Sequence, residues 1–129
     1  MDIQNLIKGL QHIGIPTTDI SKTVQFYKSL GFDLAYCSRD ETDTQVAFLK
    51  QQNLVIETYQ VEDASGNAGP IDHIAIDVKD IRQVFEKIQK ASFKILESKI
   101  SFLPFWEKGV EFFTIEGPNG EKIEFNQIL

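Results

Sequence analysis

Two histidines are present in the whole chain, His12 and His73, so any imidazole chemistry must draw on one or both. A shift of the sequence by 61 residues carries His12-Ile13-Gly14-Ile15 onto His73-Ile74-Ala75-Ile76. A second shift, by 67, carries Ile56-Glu57-Thr58-Tyr59-Gln60 onto Ile123-Glu124-Phe125-Asn126-Gln127. Each repeat therefore supplies one histidine and one glutamate at matched places. Two imidazoles and two carboxylates are a ligand set suited to a divalent ion: imidazole favours nickel, zinc, cobalt or iron, and carboxylate favours harder ions such as manganese or magnesium. With room left for water, a mixed nitrogen and oxygen set points to a catalytic ion, since closed structural zinc sites usually contain cysteine. A strand histidine taken alone is more often a hydrogen-bonded structural residue; the pairing across the repeat is what favours a ligand.

The elements that position these residues follow from periodicity. Residues 10–15 and 71–78 alternate like strands and carry β-branched side chains. Ile20, Val24, Tyr27 and Leu30 keep helical spacing over 19–30, with Gly31 suited to the helix end; Ile81, Val84, Phe85, Ile88 and Ala91 do the same over 80–91. Asp80 with Gln83 resembles a capping box. Strands are expected at 32–37, 45–50 and 54–60, then at 93–98, 110–116 and 121–127, the last two joined by the turn Gly117-Pro118-Asn119-Gly120. A short helix is expected over 2–8. The organisation is α+β: two tandem βαβββ modules, about 10–60 and 71–127, joined by a Gly-, Asn-, Ser- and Pro-containing loop at 61–70 and together forming one domain over 1–129.

Strand alternation places Ile13, Ile15, Ile74 and Ile76 beneath the helices, and puts His12, Glu57, His73 and Glu124 on the opposite faces. Tyr59 and Asn126, two residues beyond the glutamates, are candidate substrate contacts. The second module is longer by a segment at 98–109 that contains Phe102, Phe105 and Trp106 and is soon followed by Phe113. Phe105, Trp106 and Phe113 are candidates for an apolar substrate wall, with core or subunit interface as the alternative use. Cys37, the one cysteine, is expected to be a small buried apolar residue, because no third histidine is present to activate it.

Composition narrows the function classes. The 129 residues are 42% hydrophobic and 25% charged, as in ordinary globular proteins, with a net charge of −6. An acidic chain without a basic run is a poor partner for nucleic acid or anionic membrane. No apolar stretch reaches the roughly 20 residues that span a bilayer, and the first ten residues lack a signal-peptide core. A cytoplasmic protein with a small-molecule partner is expected.

The paired βαβββ modules, with His12-Ile13-Gly14-Ile15, Phe26-Tyr27-Lys28-Ser29-Leu30-Gly31-Phe32, His73-Ile74-Ala75-Ile76 and Gly117-Pro118-Asn119-Gly120-Glu121-Lys122-Ile123-Glu124-Phe125, resemble the vicinal oxygen chelate superfamily. That superfamily includes glyoxalase I, epimerases, extradiol dioxygenases, fosfomycin-resistance enzymes and bleomycin-binding proteins. The resemblance implies a mixed sheet curled around a metal cleft and a homodimer. It implies one divalent metal ion per site, held by His12, Glu57, His73 and Glu124, a set similar to that of nickel- or cobalt-type glyoxalase I; zinc, manganese and iron are further options. The implied activity is a lyase or isomerase that moves a proton through an enediolate on a hemithioacetal or related 2-oxo substrate. Glu124 is the implied main base, with Glu57 as its catalytic partner. The alternatives are an epimerase or other enolate-forming enzyme, and a non-catalytic binding or resistance protein of the same fold. Pro16 and Val61 stand where bacterial glyoxalases carry an arginine and an asparagine that hold glutathione, so the substrate thiol stays open.

Overall fold

The computed structural model describes residues 4–39 and 43–129, and divides into two compact units with the boundary between Ala64 and Ser65. In the first unit a single 3-10 turn, Gln4–Leu6, precedes β1 (Ile13–Thr17), α1 (Ile20–Ser29), β2 (Asp33–Arg39), β3 (Gln45–Gln51) and β4 (Leu54–Gln60). The second unit carries β5 (Ile74–Asp77), α2 (Ile81–Lys90), β6 (Lys94–Ile95), β7 (Ser101–Leu103), β8 (Val110–Glu116) and β9 (Lys122–Ile128). The first is a βαβββ module, the second is the same module with one extra short strand, β7, and the fold is α+β. Of the helix expected over 2–8, the described part is only the 3-10 turn, and Asp2 lies outside the described residues.

Each helix starts where the sequence places its cap. Asp19 accepts from the Lys22 amide at 3.0 Å, and Asp80 from the Gln83 amide at 3.1 Å. These bonds satisfy amides that have no partner within the first helical turn. The helices end differently. Gly31 follows α1 with φ +93°, whereas Ser92 holds the matching left-handed position after α2 with φ +63°.

The first sheet has the order β1-β4-β3-β2, with β1 and β4 parallel and the other pairs antiparallel. The second has the order β5-β9-β8-β6, with β5 and β9 parallel and β7 added to β8. β7 is built from the extra segment of the second module, which pairs Phe102 with Glu111 rather than remaining loop throughout. In the first unit, Tyr27, Leu49 and Ile56 are buried between α1 and its sheet. Phe113, Ile115 and Ile123 fill the second core, where Phe113 stacks on Phe125 and meets the edge of Phe85 from α2. Burial of such side chains contributes about 1.5–3 kcal/mol each. Buried Thr17 and Thr23 satisfy one another at 2.9 Å, joining β1 to α1.

Two expectations are corrected here. Phe113 is fully buried against Phe85 and Phe125, so it is core and not a substrate wall. Its register partner is Phe125, and the pair lies on the helix-facing side of the sheet. Cys37 is exposed, not buried. It lies on the edge strand β2, every residue of which is exposed, in an open groove between Ile20 and Val24 of α1 and Leu34 and Ala47 of the sheet.

Candidate metal centre

In the first unit, β1 and β4 run parallel with Gly14 opposite Glu57 and Ile13 opposite Ile56. Ile56 and Thr58 are buried on the α1 side, so Glu57 takes the other face. His12 immediately precedes β1. Its ring meets Phe48 edge-on at 5.7 Å, and Phe48 is the β3 register partner of Glu57. His12, Glu57 and Phe48 thus share one sheet face, with Tyr36 beside Phe48 at 6.3 Å. Gly14 makes room on this face: a Cβ built there would lie 3.7 Å from both Glu57 Oε1 and Tyr59 Cε1.

The second unit repeats the arrangement. Ala75 is opposite Glu124, and Thr114 is the β8 partner of Glu124, the place that Phe48 holds in the first unit. Ile123 and Phe125 are buried on the α2 side, which leaves Glu124 on the other face. Asn126 Nδ2 donates to Glu124 Oε2 at 3.1 Å. The alternation of β5, continued back by one residue, puts His73 on the side of Ala75.

Both histidine rings are held through Nδ1. His12 Nδ1 bonds Gln11 Oε1 at 2.9 Å, and His73 Nδ1 bonds Asp72 Oδ2 at 3.0 Å. Asp72 also receives Lys122 Nζ on its other oxygen at 3.1 Å. The His73 hydrogen bond, followed by the Lys122 hydrogen bond and charge, holds the Asp72 carboxyl below its ordinary value. The sequence reading missed Gln11 and Asp72. The repeat carries the signal for them, since the same shift of 61 that joins His12 to His73 joins these two oxygen-bearing neighbours.

Each unit therefore brings one imidazole and one carboxylate to a common face, and the donor types fit a divalent ion that accepts nitrogen and oxygen. Among the described residues, no group of three or more His, Cys, Asp or Glu side chains is gathered as a metal site. Each unit carries one histidine and one glutamate of the expected set, His12 with Glu57 and His73 with Glu124. Tyr59 and Asn126 lie two residues beyond Glu57 and Glu124 on β4 and β9. Phe105 and Trp106 lie in the loop after β7, 56% and 75% exposed.

The sequence pattern of the glyoxalase/bleomycin resistance protein/dioxygenase superfamily matches residues 9–125. The chain belongs to that superfamily. It is also 32% identical over 130 residues to the uncharacterized protein YwbC of Bacillus subtilis (strain 168), covering 95% of this chain and 99% of that one. Among solved structures, the superfamily chain is similar to a glyoxalase family protein from Enterococcus faecalis, with TM-score 0.77, 18% identity and coverage of 94% and 98%. It is likewise similar to the fosfomycin resistance protein FosX from Listeria monocytogenes, in complex with Mn(II) and sulfate, with TM-score 0.73, 18% identity and coverage of 95% and 94%. At these identities the structural likeness shows the fold. Among the described residues, no helix of this superfamily member is long and apolar enough to cross a membrane.

Proposed function

We propose that this chain is a metal-dependent lyase or isomerase of the glyoxalase I type, acting on a hemithioacetal or related 2-oxo substrate. The observation that carries the reading is the repeated register: Glu57 opposite Gly14 beside His12, and Glu124 opposite Ala75 beside His73. His12, Glu57, His73 and Glu124 would hold one divalent ion, nickel or cobalt first, with manganese, zinc and iron as the other members of the test panel. When bound, that ion supplies Lewis-acid polarisation of two neighbouring substrate oxygens.

The chain's own groups do the remaining work. Glu124 takes the substrate C–H proton and returns it to the adjacent carbon. Asn126 occupies Glu124 Oε2, which leaves Oε1 to carry the proton. Glu57 is its counterpart on the first half-site, with its Oε1 lying over Gly14. Phe48 and Tyr59 flank that carboxylate with ring surface and limit the approach of water.

Pro16 lies inside β1, paired with Tyr59, and the Val61 amide is committed to Thr17 O at 2.8 Å. Neither offers a charged or amide side chain to glutathione. This favours a second reading within the same chemistry, an epimerase or other enolate-forming enzyme with a different vicinal-oxygen substrate. We place the active protein in the cytoplasm as a homodimer. Leu6, Ile7 and Leu10, 79%, 62% and 75% exposed, supply apolar surface for an interface that sedimentation would detect.

The test uses protein purified without a metal column, reloaded with each ion and incubated in heavy water with methylglyoxal plus a panel of thiols, and separately with 2-oxo acids and thioesters. Deuterium uptake that Glu124→Gln abolishes while the ion stays bound is the expected result. Uptake that survives in Glu124→Gln removes the assigned base. Absence of bound ion and of uptake under every condition would leave a binding protein of this fold.

A further inference from the structure

We propose that Gln11 and Asp72 are positioning residues, which fix His12 and His73 as their Nδ1–H tautomers and turn each Nε2 lone pair outward as the metal donor. The proposal rests on the reading above, in which both histidines are ligands. A neutral imidazole has one N–H and one lone pair, and the partner of one nitrogen decides the role of the other. Gln11 Oε1 and Asp72 Oδ2 only accept, so the Nδ1 atoms 2.9 and 3.0 Å away must donate. Nε2 is then left unprotonated on both rings.

Two features make this a matched device and not a chance pair of neighbours. Gln11 and Asp72 are related by the same 61-residue shift as the histidines they hold. Each is also part of a larger restraint: Phe48 packs edge-on against the His12 ring, and Lys122 on β9 grips the second oxygen of Asp72 at 3.1 Å. The restraints differ in charge. His12 is backed by a neutral amide and His73 by a carboxylate, which raises the donor strength of the ring it holds. The two halves of the set are therefore unequal ligands, with His73 the stronger.

The tautomers are measured on the metal-free, 15N-histidine-labelled chain by two-bond proton–nitrogen correlation at a pH where both rings are neutral. Wild type is expected to show Nδ1–H on both. Gln11→Leu should convert His12 alone to Nε2–H, and Asp72→Leu should convert His73 alone. Asp72→Asn, which keeps an acceptor, should retain the wild-type tautomer. In parallel, Ni(II) and Mn(II) affinities from chelator competition should fall about 10–100-fold in Asp72→Leu, largely recover in Asp72→Asn, and fall less in Gln11→Leu than in Asp72→Leu. Nε2–H rings in wild type, or rings unchanged by the leucine substitutions, overturn the proposal. Nδ1–H rings in a chain that binds neither ion overturn the ligand-positioning role and the metal reading together, while the hydrogen-bond assignment stands. Ion binding with unaltered affinity in Asp72→Leu overturns the positioning role alone.

Discussion

The side-chain oxygen of Gln60 accepts the backbone N–H of Ile20 at 3.0 Å, tying the end of β4 to the first residue of α1. Gln127 and Ile81 repeat the bond at 2.9 Å between β9 and α2. Each glutamine satisfies a helix-start amide that has no partner within the helix. The same residues lie in the strands that carry Glu57 and Glu124, three positions further on, so the bond couples helix position to the candidate ligands. Gln60→Ala and Gln127→Ala are each expected to destabilise by about 1–2 kcal/mol, through the lost cap and an unsatisfied amide. Urea unfolding measures this. A shift below a few tenths of a kcal/mol in both would show that water replaces the glutamine without cost.

Gly14 separates a volume effect from a folding effect. A methyl there meets Glu57 and Tyr59 at ordinary contact distance, 3.7 Å. Gly14→Ala should therefore fold normally, gaining up to about 0.5–1 kcal/mol from reduced chain entropy. Gly14→Phe fills the space beside the carboxylate and should weaken divalent-ion binding strongly while the circular dichroism stays native. Unchanged ion affinity in Gly14→Phe would take Glu57 out of the ligand set.

Ser92 occupies a left-handed backbone position with φ +63°, where the first module has Gly31. A side chain in that conformation costs about 1–2 kcal/mol relative to glycine. Ser92→Gly is expected to stabilise the second module, by no more than that amount, since glycine also adds freedom to the unfolded chain. A raised denaturation midpoint at unchanged slope is the result to look for; a lowered midpoint would mean that the Ser92 side chain has a stabilising partner.

The aromatic residues of the second module should divide sharply on mutation. Phe113→Ala empties a fully buried position and should cost about 3–5 kcal/mol. Trp106→Ala, at a residue 75% exposed, should change stability by no more than about 0.5 kcal/mol. If Trp106 covers substrate or a partner chain, its replacement will instead raise KM or weaken the dimer. Thermal unfolding combined with sedimentation distinguishes these effects.

Much of the architecture was legible without coordinates, because it rests on local signals. Capping aspartates, helical spacing and strand alternation appear in the order of residues, and the duplication states each of them twice. The faces of Glu57 and Glu124 were legible for the same reason: strand periodicity assigns a face to each, and the repeat matches the two. The added strand β7 was not legible, since Ser101–Leu103 is short and its pairing with β8 depends on residues brought back by a loop.

The sequence by itself determined two βαβββ modules and one histidine–glutamate pair in each, because periods of two and 3.6 residues are intrinsic to strands and helices. Tertiary structure alone decided which aromatic and sulfur side chains are buried. The register of Glu116 against Lys122 at the β8–β9 hairpin sends Phe113 inward to Phe125 and Thr114 to the side of Glu124. The position of β2 at the sheet edge, where α1 forms only one wall of an open groove, leaves Cys37 in solvent. The two Nδ1 bonds were also decided in space, since adjacency in sequence brings Gln11 and Asp72 near their histidines but does not aim an oxygen at a ring nitrogen. Those outcomes depend on strand pairing and on how far a helix reaches across its sheet, which are set by packing between segments distant in the chain.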